Sequence, residues 1–291
     1  MHQFKYASPG TLEELLDTYA VHSASAKLLA GGTDLIVQMR AGSLTPGLVI
    51  DVKQVPELNL LVLSKRGLTI GAAVSCRTLY ESASIASAYP ALDDAARLIG
   101  GIQIQGRASI GGNLCNASPS ADAIPALIVS GALAVTGSIR GERRIAVEDF
   151  CTGPGTNILA SDEILTSLEL PPGAERSGSF FLRFTPRNEM DIAVVNAASM
   201  VVLSVDGLYF ETVRIAIGAV GPTPIILGRA ADALQGQPVN ESSIEIAAEI
   251  ARQTATPISD MRGSIEQRKH LAGVLVTRSL NGAIERARGA M

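Results

Sequence analysis

Apolar positions near the start of the chain recur at helical spacing. Leu12, Leu15, Leu16 and Tyr19 fall on one side of a helix, and residues 11–14, Thr-Leu-Glu-Glu, carry a capping box at its start. This pattern predicts an amphipathic helix, followed by a short apolar strand that ends at Ala30. We therefore expect a small α/β unit in about residues 1–55.

Short apolar or alternating runs follow and predict strands. Residues 60–63 and 68–74 are separated by Ser-Lys-Arg-Gly and are expected to form a hairpin. A helix is predicted around residues 92–99, because apolar residues recur there at helical spacing and Gly100-Gly101 follows. Further strands are predicted at residues 48–51, 132–136, 144–147 and 164–170.

The segment Pro171-Pro172-Gly173-Ala174 is the clearest linker in the sequence. Beyond it, apolar runs predict three strands and helical spacing predicts two helices. The predicted strands cover residues 180–185, 192–205 and 208–220, and the helices cover 244–251 and about 265–287.

Strands followed by helices are typical of an α+β domain. We therefore expect two domains, residues 1–173 and residues 174–291. The first is divided into subdomains of about 1–55 and 56–173. The second is expected to contain a three-stranded antiparallel sheet with helices.

Composition and charge limit the functional classes. Hydrophobic residues make up 47% of the 291 residues and charged residues 18%, which indicates extensive burial within the chain or against partners. A formal net charge of -4, without basic clusters interleaved with aromatic residues, argues against nucleic-acid binding. Because no apolar run is long enough to span a bilayer and the first residues lack a signal-peptide pattern, we expect a cytoplasmic protein without a transmembrane segment.

The cysteines and histidines do not indicate a metal site. Cys76, Cys115 and Cys151 are widely separated, which argues against a disulfide framework or a metal cluster, and favours buried free thiols. The three histidines lack metal-ligand spacing. We expect no metal on this chain.

Two glycine pairs carry the candidate chemistry. Gly31-Gly32 follows an apolar run and leads to Thr33-Asp34, whereas Gly111-Gly112 lies in a turn-rich segment, 109–122, with several short polar side chains. Glycine lets the backbone approach a bulky anion, and the polar side chains add hydrogen bonds. Neither pair forms a Walker A sequence, and the dinucleotide fingerprint is absent. Two such segments suggest one long anionic ligand.

Both segments, in this order and separation, resemble the FAD-binding medium subunit of the molybdenum hydroxylases, the family of carbon monoxide dehydrogenase and xanthine dehydrogenase. The resemblance also rests on residues 162–165, Asp-Glu-Ile-Leu, and on the segment from Arg183 to Val194, so it covers nearly the whole chain. It implies a two-part FAD-binding domain of the p-cresol-methylhydroxylase type, with the flavin held noncovalently.

The resemblance implies a role for several residues around the FAD pyrophosphate. Asp122 corresponds to an acidic residue that contacts the adenosine portion of FAD, and the alternative is that it caps a helix before the apolar residues 124–129. The implied pyrophosphate residues are Ala30, Gly31, Gly32, Thr33, Asp34 and Leu35 on one side, and Ser109, Gly111, Gly112 and Asn113 on the other.

Other positions of the resemblance allow two interpretations each. Ile164 and Leu165 correspond to apolar residues beside the adenine or the flavin, although an alternating strand would bury one of them in the core. Arg183 stands where many relatives carry a lysine near the flavin, with the same charge but a different geometry. For Arg187 and Asp191, a salt bridge across the domain interface is favoured over a direct role in catalysis.

The function that the resemblance implies is electron transfer within a complex. A large subunit would carry the molybdenum cofactor and a small subunit the 2Fe-2S clusters, in a dimer of heterotrimers, and reduced FAD on this chain would pass electrons to an external acceptor. No catalytic side chain is expected here, because no nucleophile or acid–base arrangement is recognisable. The alternative is a stand-alone FAD-dependent oxidoreductase acting on a small substrate. A third possibility, an assembly subunit that has lost its flavin, conflicts with the intact glycine segments.

Overall fold

A computed structural model describes residues 2–187 and 190–289 of the chain. In these ranges the fold mixes helices and strands, with two short 3-10 turns at Pro56–Asn59 and Val147–Asp149. The strands are β1 (Lys5–Ala7), β2 (Ala26–Leu29), β3 (Leu48–Asp51), β4 (Leu61–Ser64), β5 (Gly67–Gly71), β6 (Leu133–Ser138), β7 (Gly141–Ala146), β8 (Cys151–Gly153), β9 (Thr156–Asn157), β10 (Ile164–Leu170), β11 (Ser177–Phe184), β12 (Val195–Leu203), β13 (Phe210–Gly218) and β14 (Ile225–Ile226). The helices are α1 (Leu12–His22), α2 (Leu35–Ala41), α3 (Cys76–Tyr80), α4 (Ala83–Ala88), α5 (Pro90–Leu98), α6 (Ile102–Gln105), α7 (Ile110–Asn116), α8 (Ala123–Val129), α9 (Gly228–Leu234), α10 (Glu241–Thr254) and α11 (Ile265–Gly289).

The first strands form a small parallel sheet in the order β1-β3-β2. The helix predicted at the start of the chain is present as α1, and the Thr11 hydroxyl accepts a hydrogen bond from the Glu14 amide at 3.2 Å. Leu15 is fully buried in the core that this helix shares with the sheet. The α/β unit expected before about residue 55 is therefore formed.

The second sheet contains five antiparallel strands in the order β4-β5-β10-β6-β7. The predicted hairpin is β4 and β5, and the predicted strand at 164–170 is β10, which occupies the centre of this sheet. Residues of α5, α7 and α8 join this sheet in one large hydrophobic core. Successive residues of β10 point to opposite faces, so this strand separates two cores.

The third sheet has four antiparallel strands in the order β11-β12-β13-β14, so the expectation of three strands was wrong. The extra strand is β14, in which Ile225 and Ile226 turn back to pair with Ile217 and Ala216. A strand of two residues is too short to show an alternating pattern of its own. It forms because the long neighbouring strand β13 offers it an edge.

The four-stranded sheet is buried on both faces. On β13, Ile215 and Ile217 point into a core shared with α9, α10 and α11, whereas Ala216 between them points into the core shared with α5 and α8. This explains why the second half of the sequence shows long apolar runs instead of alternation. Among the described residues, no helix is both long enough and apolar enough to cross a membrane.

Candidate functional site

The two glycine segments lie directly against each other. A Cβ placed on Gly31 would come within 1.9 Å of the Arg107 carbonyl oxygen, so only glycine fits at this contact. The Gly31 carbonyl also accepts a hydrogen bond from Arg107 Nε at 3.2 Å. This hydrogen bond joins two residues that are 76 positions apart, and Arg107 stands two residues before the second segment.

The first segment is a turn between β2 and α2. Gly32 has a φ of +76°, which favours glycine, and Thr33 and Asp34 complete the turn before α2 begins at Leu35. The amides of Thr33, Asp34 and Leu35 find no acceptor within the described part of the chain. The Asp34 carboxyl reaches the surface, yet desolvation by the surrounding protein raises its pKa.

The second segment is more helical than its glycines suggested. Residues 110–116 form α7, and the Ser109 hydroxyl caps the helix by accepting a hydrogen bond from the Gly112 amide at 3.0 Å. Gly111 is packed against Ala72, the residue that follows β5, since a Cβ on Gly111 would lie 2.5 Å from the Ala72 carbonyl oxygen. Asn113 Oδ1 accepts a hydrogen bond from the Ala123 amide at 3.2 Å and so joins α7 to α8.

Asp122 is the N-cap residue of α8, but its side chain does not bond to the helix. It has helical backbone angles, φ -74° and ψ -32°, and its side chain makes no capping hydrogen bond to α8. Instead, Oδ2 accepts a hydrogen bond from Arg183 Nη1 at 2.5 Å and Oδ1 accepts one from Asn196 Nδ2 at 3.3 Å. The N-cap position expected from the sequence is therefore correct, but the side chain bonds to Arg183 and Asn196 instead of to the helix.

Asp122 and Arg183 form a buried ion pair between α8 and the four-stranded sheet. Their side chains are only 8% and 6% exposed. Burial raises the pKa of Asp122 to about 6, while the charge of Arg183 and the hydrogen bond from Asn196 act in the opposite direction. The two residues that the resemblance assigned to the adenosine and to the flavin thus contact each other.

Asn196 was not identified from the sequence, although it is fully buried at this junction. Its Nδ2 donates to Asp122 and, at 3.4 Å, to the Ala121 carbonyl. Its Oδ1 has no hydrogen-bond partner among the described residues. The available signal was an asparagine within the mostly apolar run of β12, because a buried amide requires a specific partner.

Ile164 and Leu165 are both buried, at 1% and 3% exposure. Ile164 belongs to the core of the small parallel sheet, and Leu165 belongs to the large core on the other side of β10. The strand alternation anticipated from the sequence is present, and it buries both residues. Glu163, the residue before Ile164, accepts a hydrogen bond on Oε1 from Arg143 Nε at 2.5 Å. The hydrogen bonds from Arg143 lower the pKa of Glu163 to about 2.

Arg187 and Asp191 form the predicted salt bridge, at 3.3 Å. The Arg187 side chain is exposed, whereas that of Asp191 is only 6% exposed, and the second carboxylate oxygen of Asp191 lies 3.9 Å from Arg262 Nε. The pair therefore stays within the C-terminal half instead of crossing between domains, which corrects that part of the expectation. Asn188 and Glu189, which stand between them in the sequence, lie outside the described residues.

The three cysteines are free thiols, as expected, but only Cys76 is fully buried, whereas Cys115 and Cys151 are half-buried. Burial raises the pKa of Cys76 and of Cys115 to about 12, and that of Cys151 to about 11. The thiols therefore remain protonated near neutral pH. In residues 2–187 and 190–289 there is no group of three or more His, Cys, Asp or Glu side chains that could hold a metal ion.

Comparison with known proteins assigns both halves of the chain to described families. The model of the FAD binding domain in molybdopterin dehydrogenase matches residues 2–173, and the model of the CO dehydrogenase flavoprotein C-terminal domain matches residues 180–283. A xanthine dehydrogenase FAD-binding subunit of Escherichia coli O157:H7 is 35% identical over 98% of this chain and 97% of its own length. The nicotine 6-hydroxylase medium subunit of Paenarthrobacter nicotinovorans is 32% identical, over 95% of each chain.

Solved structures of similar proteins have the same fold. Carbon monoxide dehydrogenase from Hydrogenophaga pseudoflava contains a chain that superposes with a TM-score of 0.93 at 28% identity, covering 98% of both chains. Quinoline 2-oxidoreductase from Pseudomonas putida 86 gives a TM-score of 0.90 at 29% identity, covering 100% of this chain and 99% of the other. The likeness therefore extends over both halves of the molecule.

Proposed function

The chain belongs to the family of FAD-binding domains in molybdopterin dehydrogenases, and on this premise we propose that it is the FAD-binding subunit of a molybdenum hydroxylase. The observation that carries the proposal is the contact between Gly31 and Arg107, which brings both glycine segments to one place. The similarity to named FAD-binding and medium subunits over nearly the whole chain supports it. Such a subunit is part of an oxidoreductase.

The residues at this place fit the diphosphate of FAD chemically. The amides of Thr33, Asp34 and Leu35 have no acceptor in the described chain, and a diphosphate accepts hydrogen bonds from such amides. We assign the diphosphate to the segment from Ala30 to Leu35 and to the four residues Ser109, Gly111, Gly112 and Asn113. FAD supplies the redox chemistry when bound, and these residues hold and orient it.

The buried residues identified from the resemblance belong to a second layer of the proposed site. Asp122 and Arg183 bind each other, so the pair fixes α8 against β11. Ile164 and Leu165 fill the cores on either side of β10. We propose that these four residues shape the cavity for the adenine and the flavin from behind.

The proposed architecture has two domains. Residues 1–173 form an FAD-binding domain of the p-cresol-methylhydroxylase type, with subdomains of about 1–55 and 56–173, and residues 174–291 form the C-terminal domain. The ranges of the two family matches support a division close to residue 173. The extensive core between α5, α8 and the four-stranded sheet would hold the two domains together.

The proposed partners are a large subunit with the molybdenum cofactor and a small subunit with 2Fe-2S clusters. Substrate would be oxidised on the large subunit, and electrons would reach this chain through the clusters and leave it for an external acceptor. Relatives named medium subunit or medium chain support this organisation. We further propose a dimer of heterotrimers in the cytoplasm.

A stand-alone FAD-dependent oxidoreductase is the competing function. Such an enzyme needs polar side chains free to contact a substrate above the flavin. The charged pair closest to this role, Asp122 and Arg183, is buried and mutually bound. The observed contacts therefore favour the complex.

Purification under native conditions tests the proposal. We expect two further polypeptides, one larger and one smaller, to accompany this chain through gel filtration, with molybdenum and iron in the same fractions. An affinity tag on this chain and metal analysis of the eluate provide the readout. A single flavin-containing polypeptide that turns over a substrate would instead establish the stand-alone enzyme.

A further inference from the structure

Arg107 occupies the contact between the two glycine segments. Its carbonyl group lies against the Cα of Gly31, and its Nε donates to the Gly31 carbonyl at 3.2 Å. The side chain is exposed. The guanidinium group is therefore held at the edge of the first glycine segment by a contact that uses only its Nε.

The outer nitrogens of Arg107 are not engaged by the protein. Within residues 2–187 and 190–289, Nη1 and Nη2 of Arg107 donate no hydrogen bond, and no carboxylate lies within 4 Å of them. Other arginines of the described chain are paired, for example Arg183 with Asp122 and Arg143 with Glu163. Arg107 thus keeps a positive charge and two donor groups for another acceptor.

The glycine segments themselves provide only neutral donors. The amides of Thr33, Asp34 and Leu35 carry no net charge, and the Asp34 carboxylate would repel an anion. A diphosphate brings two negative charges. A guanidinium group matches phosphate oxygens with parallel N–H donors and supplies the missing charge.

We propose that Arg107 binds the diphosphate of FAD as the cation of this site that no carboxylate of the described residues neutralises. Lys53 Nζ also reaches the first glycine segment, where it donates to the Ala30 carbonyl at 3.3 Å, but it is paired with Asp51 at 2.6 Å. The inference deepens the proposed function and rests on it. Nε remains on the Gly31 carbonyl and fixes the orientation of the guanidinium group, while Nη1 and Nη2 donate to phosphate oxygens. Arg107 thereby couples the arrangement of the two glycine segments to the presence of the cofactor.

Replacement of Arg107 tests the proposal through affinity. The protein is used at full length, with the subunits that accompany it, after removal of the flavin, and the dissociation constant for FAD is measured by the quenching of flavin fluorescence. We expect Arg107→Gln to weaken FAD binding about 10- to 100-fold at low salt, the range for a hydrogen-bonded charge. Arg107→Lys, which keeps the charge but loses the paired donors, should fall between Gln and the wild type. The difference in FAD affinity between Arg107→Gln and the wild type should become smaller as salt is added, because salt screens the charge of Arg107.

Riboflavin, which has no phosphate, separates binding of the diphosphate from a structural role. Its affinity should change less than threefold in Arg107→Gln. Arg229→Gln is the matched control, since Arg229 is an exposed arginine of α9 in the other half of the chain, and FAD affinity should stay at the wild-type value.

Three outcomes would overturn the inference. These are wild-type affinity for FAD in Arg107→Gln, an equal loss for riboflavin and FAD, and a loss of FAD affinity in Arg229→Gln as large as in Arg107→Gln. Failure of the wild-type protein to bind FAD would instead refute the proposed function itself, so the two failures are distinguishable.

Discussion

Removal of the Arg183 charge should destabilise the junction between the two halves of the chain in a pH-dependent manner. Arg183→Met keeps much of the side-chain volume but leaves Asp122 with one weak hydrogen bond, from Asn196 Nδ2 at 3.3 Å. Both charged side chains are more than nine-tenths buried. The substitution therefore leaves a carboxyl group in a place with little water.

The size of the effect depends on whether Asp122 keeps its charge. Loss of one partner from a buried ion pair costs about 3–5 kcal/mol when the other stays ionised. Burial already raises the pKa of Asp122 to about 6 with Arg183 present, so the pKa rises further without it. At pH 6 the carboxyl group of the variant takes up a proton, and we expect a loss of only about 1–2 kcal/mol from the missing hydrogen bond.

The direction of the pH dependence follows from proton binding. A carboxyl group whose pKa is higher in the folded than in the unfolded protein binds more protons when folded, so stability falls as pH rises between the two values. For the wild type, the decrease in stability with rising pH ends near pH 6, the pKa of folded Asp122. For Arg183→Met it continues above pH 6, and the loss relative to wild type should reach about 3–5 kcal/mol near pH 8.

Urea denaturation at pH 6 and pH 8 measures this difference. The chain contains no tryptophan, so far-UV circular dichroism is the suitable signal. The control is the double variant Asp122→Asn with Arg183→Met, which has no carboxyl group to titrate and should show nearly the same loss at both pH values. Equal midpoints for Arg183→Met and wild type at pH 8, or a loss that does not change with pH, would refute the reasoning.

Three further outcomes are expected. Gly31→Ala should displace the turn from Arg107 and abolish FAD binding, because its Cβ would lie 1.9 Å from the Arg107 carbonyl oxygen. Gly228→Ala is the control, since a Cβ there would meet no atom within 4 Å, and it should bind FAD like the wild type in the same titration. The lowered pKa of Glu163, about 2, stabilises the wild type by about 1–3 kcal/mol above pH 4.5, and this stabilisation is lost as pH falls toward 2. Glu163→Gln should lack this pH-dependent part of the stability. Thermal unfolding of both proteins between pH 4.5 and pH 2 would reveal or disprove the difference. Because burial raises the pKa of all three cysteine thiols, a thiol reagent at pH 8 should react slowly with the native protein and quickly after denaturation; rapid reaction of the native protein would contradict their burial.

Local patterns in the sequence predicted the elements that depend on local interactions. The capping box at Thr11 predicted α1, since the cap and the helix lie within a few residues of each other. The strand β10 matched its prediction at residues 164–170 because its apolar positions repeat over seven residues. By contrast, β14 has two residues and depends on pairing with β13, which no local pattern records.

The contacts within the candidate site could be predicted only in part from the sequence. The glycine segments were identified correctly as neighbours, yet Gly31 and Gly111 are required by packing against Arg107 and Ala72. The Asp122–Arg183 pair joins residues 61 positions apart, and no local pattern in the sequence records a contact over such a separation.

The flavin content of the purified protein tests the central claim most directly. The account predicts yellow protein with one FAD released per chain on denaturation, identified as FAD by chromatography and left unattached to any peptide. Well-folded protein that contains no flavin and takes up none when FAD is supplied would contradict the account.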